Sequence, residues 1–172
     1  MKKFLLLAFL IPLMSAGQTA NKEKNLKTPV EYFNSGSKKH KNGDYYGAIE
    51  DYTKSIEIMI SYGDASALSS TPAGKAAALD LLNAAAVFGS YQGAHYSRGI
   101  SKIALKDYDG AITDFNMAIA LDSDFASAYF ARGLAKFFKG DKKIACEDAR
   151  KAQSLGFNNA PALTDLLNLA CK

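Results

Sequence analysis

A recurrence at 34 residues constrains this chain more than any other feature. Tyr96-Ser97-Arg98-Gly99 is followed by Lys102, Asp107-Tyr108, Ala111-Ile112, Asp114-Phe115 and Ala118. Phe130-Ala131-Arg132-Gly133 is followed in the same phase by Lys136, Gly140-Asp141, Ala145-Cys146, Asp148-Ala149 and Ala152, so Gly99 and Gly133 stand 34 apart. An earlier copy carries Phe33, Gly36, Lys39, Gly43-Asp44-Tyr45, Ala48-Ile49, Asp51-Tyr52 and Ile56. Its Gly36 precedes Gly99 by 63 residues, one unit of 34 plus 29 more. A period of this length marks stacked supersecondary units, each unable to bury its apolar face alone.

Local signals make each unit a pair of helices. Thr28-Pro29-Val30-Glu31 combines a capping box with Pro at the first helical position. Gly43-Asp44 and Gly140-Asp141 each end one helix on Gly and cap the next with Asp. A Gly inside a helix costs about 1 kcal/mol relative to Ala, so a recurring one requires close packing. Gly36, Gly99 and Gly133, with Ala48, Ala111 and Ala145, mark where the two helices of a pair approach.

The pattern resembles the tetratricopeptide repeat: an aromatic, a small Gly, then Ala with an aromatic four residues later. Tyr32, His95 and Tyr129 replace the usual first-helix Trp, and Ala149 replaces the second-helix aromatic of the third copy. The resemblance implies an all-α fold, with helix-turn-helix hairpins stacked into a short right-handed solenoid. It divides the chain into repeats at 29–62, 92–125 and 126–159, with a helical insertion at 63–91. Asn158-Asn159-Ala160-Pro161 then opens a capping helix over 160–172, carrying Leu163, Leu166, Leu167 and Ala170. Within the insertion, Ser69-Ser70-Thr71-Pro72 is a turn and Ala73 to Phe88 is helix-forming, with Leu79, Leu82, Ala86 and Val87 at helical spacing. That segment is a degenerate repeat or an extension of the next helix.

Ahead of the repeats, Lys2 and Lys3 precede an apolar run from Phe4 to Met14, broken only by Pro12, and the small residues Ser15-Ala16-Gly17 follow. The run falls short of the roughly 20 residues that cross a bilayer. It has the three regions of an export signal. Residues 1–17 are expected to be a signal peptide cleaved near Gly17, with a flexible linker at 18–28 and a periplasmic or secreted mature chain without a stable membrane span. Removing Lys2 and Lys3 from the 21 basic residues leaves 19 against 17 acidic. So even a balance argues against nucleic acid as a partner.

Cys146 and Cys171 are the only cysteines, an even number in a chain read as exported. Cys146 takes the slot of Ile49 and Ile112, an apolar contact position on each second helix, and Cys171 ends the capping helix expected to pack there. A disulfide pinning the cap is expected, the alternative being two buried free thiols. Arg98 with Asp114, and Arg132 with Asp148, share a spacing of 16 and are read as structural ion pairs, within a hairpin or between neighbours. The first copy has Asp51 but Ser35 in the Arg slot.

No catalytic constellation emerges. His40 and His95 are the only histidines and have no metal-ligand spacing with the cysteines. Gly74-Lys75 lacks the Gly-rich approach and following hydroxyl of a phosphate loop, since Ser69 and Ala76 stand in those places. Ser35-Gly36-Ser37-Lys38 lacks the companion motifs of Ser-x-x-Lys enzymes. The chain reads as a non-enzyme without metal or cofactor.

In the repeat family, first helices line a concave surface. Carried over by phase, those positions are Phe33, Ser37 and His40, then Tyr96, Ile100 and Ile103, then Phe130, Leu134 and Phe137. They form either an apolar groove for a peptide or a core face covered by the insertion or the cap. Family members that clamp the C-terminal carboxylate of heat-shock chaperones use Lys, Asn and Arg on that face. Here the matching positions are Phe33, Ser37, Ser97, Ser127 and Ala131, none of which supplies charge. The expected function is therefore a non-catalytic protein–protein scaffold acting after export. The alternatives are a homo-oligomer assembled through residues 63–91 or an accessory subunit of an enzyme.

Overall fold

The computed structural model describes residues 27–67, 85–157 and 160–172, with side chains of 62–67, 85–90 and 160 outside that description. The expected signal peptide, most of the linker and the centre of the insertion lie outside the described residues. Seven helices are present among them: α1 (Pro29–Lys41), α2 (Tyr45–Ala67), α3 (Ala85–Ala104), α4 (Tyr108–Leu121), α5 (Ala126–Lys139), α6 (Lys142–Ser154) and α7 (Ala160–Ala170). Helices α1/α2, α3/α4 and α5/α6 form hairpins that stack α2 on α3 and α4 on α5. Contacts of α1 with α3 and α3 with α5 put the first helices side by side. Helix α7 meets both α6 and α5, as α5 meets α4 and α3, so it stands where the first helix of a fourth repeat would begin. The architecture is a short solenoid of stacked helical hairpins.

The repeat boundaries shift around the insertion. Helix α2 runs on to Ala67 and α3 already begins at Ala85, so both ends of the expected 63–91 segment continue neighbouring helices.

The turns show which capping signals hold. Thr28 Oγ1 accepts from the Glu31 backbone N–H at 3.2 Å, and the Glu31 carboxylate accepts from the Thr28 N–H at 2.7 Å. Gly43 and Gly140 take φ of 81° and 96° in the left-handed region, while Lys106 supplies the same turn in the second copy at φ 61°. Asp44 accepts from the Gly47 N–H at 2.9 Å, and Asp107 from the Gly110 N–H at 3.0 Å. The expected cap at Asp141 is absent: its side chain makes no capping hydrogen bond. The reason lies three residues on. A Cβ on Gly47 or Gly110 would overlap the capping carboxylate, and the third copy has Ile144 there.

Within each hairpin the recurring glycine is a contact surface. A Cβ on Gly36 would lie 2.9 Å from Tyr52 Cε1, and one on Gly99 would lie 2.7 Å from Phe115 Cε1. In the third copy, where Ala149 replaces the aromatic, the nearest side chains to Gly133 include Leu166 of α7. Leu166 joins Ala145, Cys146, Ala149, Leu163 and Ala170 in one buried cluster. The missing ring is thus made good by the capping helix.

Gly99 and Gly93 share α3 but differ in surroundings, since a Cβ on Gly93 meets only the Phe33 ring at 3.9 Å. Gly93→Ala is expected to stabilise the protein by up to about 1 kcal/mol through helix propensity. Gly99→Ala is expected to destabilise it by about 1–3 kcal/mol, because Phe115 is fully buried and has nowhere to move. Urea unfolding of the two variants tests this. Stabilisation by both would show that the Gly99–Phe115 contact is not tight.

Candidate interaction surface and the buried carboxylates

Each second helix carries an aspartate into the hairpin interior: Asp51, Asp114 and Asp148 are exposed by 5%, 1% and 5%. A buried carboxylate needs compensating donors, and the first helix supplies them. Arg98 donates Nε and Nη2 to Asp114 at 3.0 Å and 2.6 Å, and Lys102, one helical turn on, reaches the same carboxylate at 2.8 Å. Arg132 and Lys136 repeat this on Asp148 at 2.6 Å and 3.0 Å. In the first copy the partner differs: Ser35 donates to Asp51 at 2.7 Å and Lys39 binds it at 2.8 Å. Lys39, Lys102 and Lys136 recur in the sequence, and their role as a cation on each buried aspartate, alone in the first copy and beside an arginine in the other two, is what sequence reasoning missed.

The remaining arginine nitrogen reaches the preceding repeat. Arg98 Nη1 donates to Thr53 Oγ1 at 3.0 Å, and Arg132 Nη1 donates to Asn116 Oδ1 at 2.7 Å. Each arginine therefore acts within its hairpin and across the seam behind it. His95 fills the aromatic slot of the second copy. Its Nδ1 stands 3.4 Å from Asp114, and its Nε2 has no hydrogen-bond partner among the described residues.

Burial pushes the Asp114 carboxyl up, but hydrogen bonds from His95, Arg98 and Lys102 outweigh it and hold the group well below the usual carboxylate range. Asp51 is lowered as well: burial raises it, and Lys39 and Ser35 overcome that.

The nine positions expected to line a groove are all half-buried, because they sit at the seams between successive first helices. Phe33, like Tyr91, packs against the cluster of Ile56, Met59 and Ala94. Tyr96, Ile100 and Ile103 pack against a cluster of Ala111 and Phe115 of α4 with Ala131 and Ala135 of α5. Phe130, Leu134 and Phe137 pack against the cluster that α7 closes, and Phe130 stacks on Phe157 at 4.5 Å between ring centroids. Ser37 accepts from the Tyr52 hydroxyl at 3.2 Å, and His40 Nδ1 is 2.8 Å from Ser101 Oγ. His40, Tyr52, Tyr96, Ser97 and Ile100 surround a hollow of about 180 Å³ at the seam of the first and second hairpins. At the third hairpin the cap occupies the corresponding face. Cys146 and Cys171 are joined in a disulfide with Cα atoms 5.0 Å apart.

A lowered aspartate pKa carries a definite pH signature. The unfolded chain takes up the proton first, so the stabilisation from Asp114 is complete above its ordinary 3.8 and is lost as pH falls below it. Asp114→Asn is expected to cost about 3 kcal/mol at pH 7 by leaving Arg98 and Lys102 unpaired, and to flatten the acid limb of the stability profile. Urea unfolding at pH 7 and pH 3 checks both; parallel profiles for wild type and variant would remove Asp114 from the acid response.

Comparison with known proteins follows the same lines. Residues 99–140 match a family model described as TPR repeat, and residues 126–159 match one described as tetratricopeptide repeat. Hsc70-interacting protein 1 of Drosophila melanogaster is 38% identical over 64 residues, 37% of this chain and 17% of that protein. RNA polymerase II-associated protein 3 of Xenopus tropicalis is 39% identical over 70 residues, 41% of this chain and 11% of that protein. The chain thus spans less than a fifth of these relatives. Among solved structures, the first TPR of Spaghetti bound to HSP90 peptide SRMEEVD aligns with a TM-score of 0.63 at 23% identity, covering 84% of this chain and 91% of that one. The Arabidopsis OM64 TPR domain aligns at 0.62 and 19% identity, covering 83% and 93%. Residues 99–159 thus match tetratricopeptide-repeat models, and the described helices share the fold of solved tetratricopeptide-repeat domains.

Proposed function

We propose that the chain is a non-catalytic scaffold that recruits a protein partner after export, through the seam between α1, α2 and α3. The observation that carries this reading is the hollow bounded by His40, Tyr52, Tyr96, Ser97 and Ile100. It lies where first helices meet, and no part of the cap fills it. Aromatic and aliphatic walls with hydroxyl and imidazole groups suit an uncharged, amphipathic peptide segment. A solved neighbour with this fold holds a peptide ending in Glu-Glu-Val-Asp, which supports peptide capture as the mode. The ligand class differs: Phe33, Ser37, Ser97, Ser127 and Ala131 stand at the carboxylate-clamp positions and leave an acidic terminus without a cation.

Export is supported by the basic, apolar and small-residue regions of residues 1–17. The Cys146–Cys171 bridge is in keeping with an oxidising compartment.

A photo-crosslinking amino acid placed at Ser97 is expected to capture a defined partner in cells, while the same group at exposed Glu147 on α6 captures none. Identical adducts from both positions, or none from Ser97, would refute the seam. The peptide SRMEEVD is expected to show no saturable calorimetric binding; micromolar affinity would restore the chaperone-clamp reading. The mature chain is expected to begin at Gln18, and intact mass of the exported protein checks this. A chain retaining residues 1–17 would overturn the export assignment.

A further inference from the structure

The hollow between the first and second hairpins is small and has a defined polarity. At about 180 Å³ it lies below the roughly 300–1,000 Å³ of small-molecule sites, so it takes one side chain of a partner. The rings of His40, Tyr52 and Tyr96 and the aliphatic Ile100 form its walls, and no carboxylate, lysine or arginine is among its described lining. Its polarity is decided at His40. Ser101, fully buried, touches two polar groups: the Ser97 carbonyl oxygen at 3.0 Å and His40 Nδ1 at 2.8 Å. A carbonyl only accepts, so the single hydroxyl proton of Ser101 goes to Ser97. Both bonds then form together only when His40 Nδ1 carries a proton and donates it to Ser101. The neutral ring is left with its lone pair on Nε2. Among the described residues that nitrogen makes no hydrogen bond, and the one unpartnered side-chain atom sealed from solvent is His95 Nε2. His40 Nε2 is therefore open, and it is an acceptor. Tyr52, whose hydroxyl proton goes to Ser37 Oγ at 3.2 Å, adds a second acceptor.

We propose that the hollow takes a tyrosine side chain of the partner, with its phenol O–H donating to His40 Nε2; this rests on the seam being the partner site. Electrostatic complementarity selects the occupant. Acceptor lone pairs on the wall repel a carboxylate or carbonyl oxygen and call for a donor hydrogen. A lysine brings donors, but its ammonium is strongly hydrated and finds no carboxylate here. The ring walls favour an aromatic body through edge and offset contacts, and a tyrosine has few rotamers to lose on ordering. Phenylalanine fills the same space but leaves Nε2 dehydrated and unpaired. Ser101 acts as a positioning residue: it sets the imidazole tautomer from outside the lining of the hollow.

NMR on the full chain tests the tautomer and the occupant separately. Long-range proton–nitrogen correlations are expected to place the proton of the neutral His40 ring on Nδ1. p-Cresol and toluene, the side chains of tyrosine and phenylalanine, then serve as probes. p-Cresol is expected to shift the Ser97 and Ile100 amides saturably, with toluene about fivefold weaker, the size of one net hydrogen bond. In Ser101→Ala the Nδ1 donor loses its acceptor, and the preference is expected to fall below about twofold while both probes still bind. His40→Phe keeps a ring in the wall and is expected to abolish the preference. A proton on Nε2 in the wild type overturns the assignment, as do equal affinities for the two probes, binding of neither, or an unchanged ratio in either variant. Crosslinking from Ser97 separates this outcome from failure of the seam itself. A partner adduct alongside equal probe affinities removes the tyrosine and keeps the seam, whereas absence of the adduct removes both.

Discussion

The solenoid depends on a carboxylate buried in every hairpin. Asp51, Asp114 and Asp148 are placed by their second helices where water does not reach, an arrangement that is destabilising unless cations follow them in. The first helix answers with residues one turn apart, Arg98 and Lys102 or Arg132 and Lys136, so two donors converge on one carboxylate. This fixes the rotation of one helix against the other, because a turn of either would strand the charge. The arginines extend the constraint to Thr53 and Asn116 of the preceding repeat. A single residue pair thus sets both the hairpin and its stacking.

Close approach is the second constraint, and it serves the first. Gly36 and Gly99 lie against Tyr52 and Phe115 so tightly that a methyl group has no room. Rings stacked on glycine bring the helix axes near enough for the lysine and arginine side chains to reach the aspartate. Where the ring is lost, at Ala149, the packing does not collapse, because Leu166 arrives from outside the hairpin. The third repeat is therefore complete only with the cap in place, which gives the terminal disulfide a structural consequence beyond loop closure.

Much of this was legible from phase alone. Residues recurring at 34 pick out Gly99 with Gly133, Arg98 with Arg132 and Asp114 with Asp148, since a repeated position has a repeated environment. The lysines were visible as repeat marks, yet their function needed a further step: Arg98 and Lys102 are four apart on a helix and must face the same way. The Asp141 cap failed for a reason the sequence holds in plain view, as Ile144 replaces the glycine found three residues after Asp44 and Asp107. The groove was less tractable. Periodicity marks a half-buried face without naming what covers it, and only the packing of α7 on Phe130, Leu134 and Phe137 separates a sealed seam from an open one. The run of α2 to Ala67 and of α3 from Ala85 likewise crosses boundaries drawn by repeat register.

The difference between seams traces back to which side chains occupy equivalent positions. Ser37 and His40 of the first copy correspond to Ile100 and Ile103 of the second and to Leu134 and Phe137 of the third. Aliphatic and aromatic side chains at those steps join the apolar cluster shared with the next first helix, as Ile100 and Ile103 join Ala111, Phe115, Ala131 and Ala135. A serine and a histidine lack the volume to do so and have polar atoms to satisfy. They turn instead to Tyr52 and Ser101, which leaves the hollow between the first and second hairpins unfilled. The cost is lost apolar burial at the seam of the first and second hairpins. The aspartate–lysine pair and the glycine of the first hairpin persist beside it, so the seam proposed to accept a partner is loosened without loss of the contacts that hold each hairpin together.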